Sequence, residues 1–199
     1  MSEFSSKRRT LLSAASVIAL APLLSACGEP EFIGSDITGT GLGKGMAMVD
    51  SATGQPRTLA DYQGKVVVVF FGFTQCPDVC PTSLAELSQT MELLGSDASK
   101  VQVVMISVDP ERDTPDILSA YVSAFHPDFA GLTGSPEQLS ATAQSFKTFY
   151  SKIPGETPGD YSMSHGASFY LIDTKGEARV LASDKTPAKD LAHDIKQLL

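Results

Sequence analysis

The sequence predicts a single α/β domain, and three features carry that expectation. Val66–Phe71 and Val101–Val108 are near-continuous apolar runs, the pattern of strands covered on both faces. Helical spacing of apolar residues separates them, and Pro placed just after a Ser or Thr marks further helix starts. Met46–Val49 and the segment around Arg57-Thr58-Leu59 are short strands separated by the turn-forming Asp50–Gly54. Gly64-Lys65 opens the first strong strand. Pro81–Leu94 is a helix, because Leu84, Leu87, Met91 and Leu94 recur at helical spacing. Val101–Val108 is the second strong strand. Asp113-Thr114-Pro115 starts a helix that runs to about Phe125, with a capping side chain followed by Pro in the first turn. Phe129–Leu132 is a short strand. Ser135-Pro136 opens a helix to about Tyr150 by the same rule. Ser151 leads into a Pro- and Gly-rich loop through Pro154-Gly155 and Pro158-Gly159. Ala167–Ile172 and Ala178–Ala182 form a hairpin across Asp173–Gly176, and Thr186-Pro187 opens the last helix, to Leu198.

A strand–helix–strand unit followed by a hairpin and a final helix resembles the thioredoxin fold. The helix near 114–125, the strand near 129 and the N-terminal strands are then additions to its core. The domain is expected over residues 46–199, behind a tether at 27–45 rich in Gly, Ser, Thr and acidic residues. Residues 1–26 have the order of an export signal: Lys7-Arg8-Arg9, an apolar run of thirteen residues from Leu11 to Leu23, then small residues at Leu24-Ser25-Ala26-Cys27. The run is short of the roughly 20 residues a membrane-spanning helix needs. Leu24–Cys27 resembles a bacterial lipobox, which implies a lipid on Cys27 and a domain exported to the periplasmic face of a bacterial membrane. Arg8-Arg9-Thr10-Leu11-Leu12 also resembles a twin-arginine export motif.

The net charge of −8 becomes −10 once the net +2 of residues 1–26 is set aside. That balance argues against nucleic acid, whose affinity rests on Lys and Arg at phosphates, and suits solubility and a neutral or basic protein partner. Besides Cys27 only Cys76 and Cys80 remain. Two cysteines do not make a disulfide framework; they read as a site. Three residues separate them, where a strand turns into a helix. Pro81 as first helical residue places Cys80 at the helix N-cap, where free N–H groups and the helix dipole favour a thiolate.

Two chemistries compete at this pair. One is disulfide exchange in an oxidising compartment. Against it, thioredoxin-like reductases carry two intervening residues, and here the strand after the loop is entered through Ser164-His165-Gly166-Ala167-Ser168 with no proline. The other is copper. Cu(I) prefers thiolates and accepts imidazole, and the fold would bring His165 beside Cys76 and Cys80. Structural zinc wants four closed ligands. His126 and His193 read as surface or packing residues, and Met46, Met48 and Met163 as packing residues. A thiol peroxidase usually needs an Arg beside its cysteine, and none lies in Phe70–Leu84.

Phe70–Pro81, with Cys76-Pro77-Asp78-Val79-Cys80 at its centre, resembles the signature of the Sco/SenC proteins. Ser107–Pro115 is similar to that family's second block, and Asp160-Tyr161-Ser162-Met163-Ser164-His165 to its histidine loop. The resemblance covers about residues 45–199. It implies a membrane-anchored, thioredoxin-like domain that binds copper through Cys76, Cys80 and His165. The ion is Cu(I), with Cu(II) a second state. It implies a metallochaperone, not a turnover enzyme, that serves the CuA centre in subunit II of cytochrome c oxidase, with a thiol reductant or another copper carrier as further partner. A thiol–disulfide reductase for the same CuA cysteines and a copper or redox sensor are the alternatives. The family usually has Asp directly before the histidine, where this chain has Ser164. Asp78, inside the cysteine loop, is expected to tune the thiolates or to cap the turn; Asp109 is expected at the site edge, shaping a turn and cap.

Overall fold

The computed structural model describes residues 30–199; the expected export signal and Cys27 lie outside the described residues. Among the described residues ten strands and four α-helices follow one another as β1 (Ser35–Asp36), β2 (Met48–Asp50), β3 (Pro56–Arg57), β4 (Val66–Gly72), α1 (Val79–Leu94), β5 (Val101–Ser107), α2 (Pro115–Ser123), β6 (Ala130–Thr133), α3 (Pro136–Ser145), β7 (Tyr150–Pro154), β8 (Tyr161–His165), β9 (Ser168–Ile172), β10 (Ala178–Ser183) and α4 (Ala188–Leu198). Eight strands form one sheet in the order β1-β10-β9-β4-β5-β6-β2-β3, and β7 and β8 form a separate ribbon. The expected α/β, thioredoxin-like plan is present: β4-α1-β5 is parallel, β9-β10 is the antiparallel hairpin, and α4 closes against α1.

The apolar run of β4 explains its place. Val66 to Phe71 are all buried because β5 lies on one side, β9 on the other, and side chains cover both faces. Its parallel register with β5 runs from Val66↔Val101 to Gly72↔Ser107. This alignment matters for function, because it brings the loop after β4 level with the loop after β5. Helix α1 buries Leu84, Leu87, Met91 and Leu94 as the spacing requires. Helix α3 starts as expected: the Ser135 hydroxyl accepts the Gln138 N–H, the Gln138 amide oxygen accepts the Ser135 N–H at 2.9 Å, and Pro136 follows.

Three expectations are corrected. The helix expected to reach Tyr150 ends at Ser145. Phe146 turns inward against Phe71 and Tyr170, with ring centroids 5.4 and 4.9 Å away, a burial worth about 1.5–3 kcal/mol. Lys147 then takes a left-handed φ of 52°, which no helix continues through. The Pro- and Gly-rich loop contains two strands, β7 and β8, paired from Tyr150↔His165 to Pro154↔Tyr161. Only Gly155–Asp160 turns between them.

The third correction concerns the tether. From residue 30 on, the chain lies against the domain. β1 pairs with β10, Leu42 is buried, and Gly43 sits under the Phe146 ring, where a Cβ would come within 2.6 Å. The buried carboxylate of Asp194 on α4 accepts the N–H groups of Ile33 at 2.8 Å and Gly34 at 2.9 Å. These bonds hold a segment whose composition alone reads as a linker. Replacing Asp194 with Ala leaves both N–H groups without their acceptor and should cost about 1–3 kcal/mol in urea unfolding, with faster amide exchange at Ile33 and Gly34.

Candidate metal centre

The cysteine loop leaves the sheet at Gly72. A Cβ there would meet Phe70 at 2.8 Å, Cys80 Sγ at 3.0 Å and Met105 at 3.1 Å, so glycine lets the first turn of α1 settle onto the strand end. The next residue, Phe73, is buried beneath the loop; Phe71 is buried as well and packs against Phe146 and Tyr170. Thr74 is pinned: its N–H and hydroxyl both donate to the Asp113 carboxylate, the hydroxyl at 2.6 Å. Gln75 to Asp78 then arch over the helix start, with Cys76 half-buried.

Helix α1 begins at Val79, with Asp78 as its N-cap. Cys80 is therefore the second helical residue, not the cap. Pro81 still fits, because the first turn of a helix has N–H groups without intrahelical partners and a missing one costs nothing there. The shift matters chemically. Cys80 is fully buried, and burial pushes its thiol above the usual range. Desolvation thus outweighs the expected benefit of the helix end, and the metal-free thiol keeps its proton at neutral pH. The Cys80 N–H donates to Cys76 Sγ at 3.4 Å, so the free backbone donor serves Cys76.

His165 ends β8 and faces this loop. Its Nδ1–H donates to the Gly166 carbonyl at 3.0 Å, which leaves the lone pair on Nε2. Nε2 lies 3.8 Å from Cys80 Sγ. The ring edge meets Phe70 and Phe73, with centroids 6.3 and 5.8 Å away. Burial in this setting holds the imidazole below the usual histidine range. Phe73, Cys76, Pro77, Met163, Ser164 and His165 line an open cleft of about 300 Å³ beside it.

The donors fit a soft metal. With metal–sulfur and metal–nitrogen bonds of about 2.3 and 2.0 Å, an angle near 120° separates the two donor atoms by about 3.7 Å, close to the Cys80–His165 spacing. Among the described residues no three His, Cys, Asp or Glu side chains already surround a common metal position. Cys76 lines the same cleft and is the remaining thiol there. Oxygen donors are held elsewhere. Asp113 is engaged by Thr74 and by the Ser107 hydroxyl at 2.7 Å. Asp109 is buried, pairs with Arg112 and accepts the Tyr161 hydroxyl at 2.8 Å. Asp78 is exposed at the rim and its carboxylate makes no capping bond.

The structure assigns the Ser107–Pro115 segment a role that its sequence conceals. Asp113, read as part of a helix start, points away from α2 and anchors the cysteine loop. Arg112 donates to Asp109 and, at 2.9 Å, to the Tyr161 carbonyl, and its guanidinium stacks 3.7 Å over the Tyr161 ring. One loop thereby holds both the cysteine turn and the histidine strand. The residues themselves hint at it by the crowding of Asp109, Arg112 and Asp113 within five positions, beside the family resemblance of this segment. The other expected packing residues stay out of the site: His126 stacks on Phe129, the His193 ring contacts the Glu31 carbonyl at 3.1 Å, and Met46 and Met48 are buried in the core. Met163 is also largely buried, though it borders the cleft.

Two outcomes follow for the metal-free protein. Asp113→Ala should lower stability by about 2–3 kcal/mol, because three donors lose a charged acceptor, and should weaken metal retention although no donor is removed; urea unfolding and metal analysis after desalting read the two effects. His165, with its folded pKa lowered, stays neutral while the unfolded chain takes up a proton below about pH 6.5. Its contribution is complete above that pH and is lost as pH falls toward the folded pKa. His165→Gln should therefore flatten the fall of the urea midpoint between neutral pH and pH 5.

The SCO1/SenC family model matches residues 45–199. The mitochondrial SCO2 homolog of Mus musculus is 42% identical over 125 residues, 62% of this chain and 49% of that protein. The chain spans about half the length of the curated relatives it matches. The structure of Bradyrhizobium japonicum ScoI with copper bound superposes with a TM-score of 0.71 at 38% identity, covering 84% of this chain and 99% of that one. The solution structure of apo Sco1 from Thermus thermophilus gives a TM-score of 0.72 at 36% identity, covering 85% and 98%. With its β4–α1 cysteine turn, its histidine strand and the loop that holds both, this chain belongs to the SCO1/SenC family.

Proposed function

We propose that this protein is a copper metallochaperone that delivers Cu(I) to the CuA centre in subunit II of cytochrome c oxidase during assembly. The observation that carries the reading is the Cys80 Sγ–His165 Nε2 pair, 3.8 Å apart with the imidazole lone pair turned to the sulfur. A buried thiol and a half-buried neutral imidazole, with every nearby carboxylate engaged or at the rim, favour a soft, singly charged ion over a hard one. Copper in the solved Bradyrhizobium japonicum relative supports the same cargo. Cys76 and Cys80 bind as thiolates and His165 through Nε2. Binding displaces the thiol protons, so loading strengthens as pH rises. The cysteines must be reduced first, since a disulfide offers no thiolate. Cu(II) would be held less well, because Ser164 supplies no carboxylate beside His165. The chain acts from the periplasmic face of a bacterial membrane, held by a lipid on Cys27.

A second reading has its own observation. Cys76 is half-exposed and receives the Cys80 N–H, while Cys80 is buried behind it. An accessible sulfur backed by a second is the arrangement a thiol–disulfide reductase of the CuA cysteines would use.

Copper retention separates the two. The protein is reduced, loaded anaerobically with Cu(I) and desalted, and copper is measured per chain for the wild type and for His165→Ala. The expected result is about one copper per wild-type chain and far less on the variant, whose thiol exchange with a model disulfide continues. Little retention by the reduced wild type overturns the chaperone reading. Equal retention by both removes His165 from the site.

A further inference from the structure

Copper bound between Cys80 and His165 would lie below the surface, because Cys80 is fully buried. It can leave only by ligand exchange. Each new bond to an acceptor sulfur replaces one bond to Cys76, Cys80 or His165. Copper remains Cu(I) throughout, each departing cysteine thiolate takes up a proton, and each acceptor thiol releases one. The acceptor's donor atoms must therefore enter the cleft, and the surface around them must rest on its rim.

The two sides of that rim differ. On one side stands the β7–β8 ribbon. Its inward face carries Tyr161, Met163 and His165. Its outward face carries Phe149, just before β7, then Ser151 and Ile153, with Ser164 and Ser162 opposite them. No side chain of that face is charged, in a chain with a net charge of −8. Phe149 is 61% exposed and Ile153 49%, and the Phe149 ring lies beside Gly166, next to His165. Exposed large apolar residues are ordinary when scattered; here two share the uncharged face of a short ribbon whose end carries the histidine. Across the opening, Asp78, Glu86 and Asp184 line a second cleft of about 440 Å³, with Lys185 its only cation. That cleft contains no sulfur or imidazole. Asp78 borders both clefts, so the acidic lip and the metal cleft are continuous.

We propose that the outward face of the β7–β8 ribbon, together with the acidic lip at Asp78 and Asp184, is the docking surface for the copper acceptor. The partner is a protein whose thiol ligands lie between an apolar loop, which covers Phe149 and Ile153, and a basic patch, which faces the lip. The apolar half supplies most of the lifetime of the complex and the charged half its rate of encounter. This inference rests on the chaperone reading for its partner.

The test follows transfer of Cu(I) from the loaded protein to the cognate soluble CuA domain of oxidase subunit II, under single-turnover conditions. The variants are F149S/I153S and Ser151→Glu, the second placing a charge on an exposed position of the neutral face. Both should retain copper as the wild type does and should lower the second-order transfer constant about ten-fold or more. For the wild type, that constant should fall as ionic strength rises. An unchanged constant in both variants overturns the ribbon as a docking surface, and loss of copper from Ser151→Glu makes the ribbon part of the site instead. A flat salt profile overturns the basic half of the partner. If the wild type delivers no copper, the chaperone reading itself fails; the same surface is then scored by reduction of the acceptor's disulfide, which the variants must slow by the same factor.

Discussion

The candidate metal centre depends on the buried carboxylates of the loop after β5. Asp113 fixes Thr74 and with it the arch that carries Cys76. Asp109, through Arg112, fixes Tyr161 and the strand that ends at His165. Neither sulfur nor imidazole comes from this loop, yet it decides their separation. A buried carboxylate is costly unless its lone pairs are used. Here Thr74 and Ser107 use those of Asp113, and Arg112 and Tyr161 those of Asp109. The same requirement that makes the network expensive to leave incomplete makes it a precise spacer. The parallel pairing of Gly72 with Ser107 makes this possible, because it sets the two loops side by side.

Burial governs the chemistry of the donors as strongly as their placement. An exposed thiol at a helix start would be partly ionised, open to oxidants and available to many metals. Cys80 is instead sealed by Phe70, Met105 and the strand end at Gly72. Its proton is retained until a metal displaces it, so metal binding is tied to proton release. His165 is treated in the complementary way. Burial disfavours its cation, and the Gly166 carbonyl takes the Nδ1 proton, so the nitrogen facing Cys80 is the one with a lone pair. Cys76 is half-exposed, as His165 is, but it lies on the loop segment that no side-chain anchor holds. An inner pair that is fixed and an outer sulfur that is accessible give a site from which ligands can be exchanged in order.

Much of this was legible in the chain, and for identifiable reasons. Val66–Phe71 and Val101–Ser107 are strands because nothing but a two-sided core accepts such runs, and Leu84, Leu87, Met91 and Leu94 mark a helix face that needs only the 3.6-residue period. Ser135-Pro136 fixes a helix start by bonds within four residues. These are local determinants, and they set the order of elements and hence the fold class. The composition likewise set the acidity, and the two thiols of Cys76 and Cys80 set the soft character of the site.

Other features depend on contacts between residues distant in the chain. Helix α3 stops at Ser145 because Phe146 is drawn to Phe71 and Tyr170, and β7 forms because β8 is there to pair with it. The segment after residue 30 reads as a linker until Asp194, some 160 residues on, accepts its N–H groups. Asp113 reads as a helix-capping residue until the β4–β5 register offers it Thr74 at a separation of 39 residues. The sequence by itself determined which residues could carry soft-metal chemistry and which strands and helices would hold them. Only the tertiary structure decided that Cys80 is buried, that the lone pair of His165 faces it, and that the loop after β5 sets their distance, because burial and long-range hydrogen bonds exist only once the chain has closed on itself.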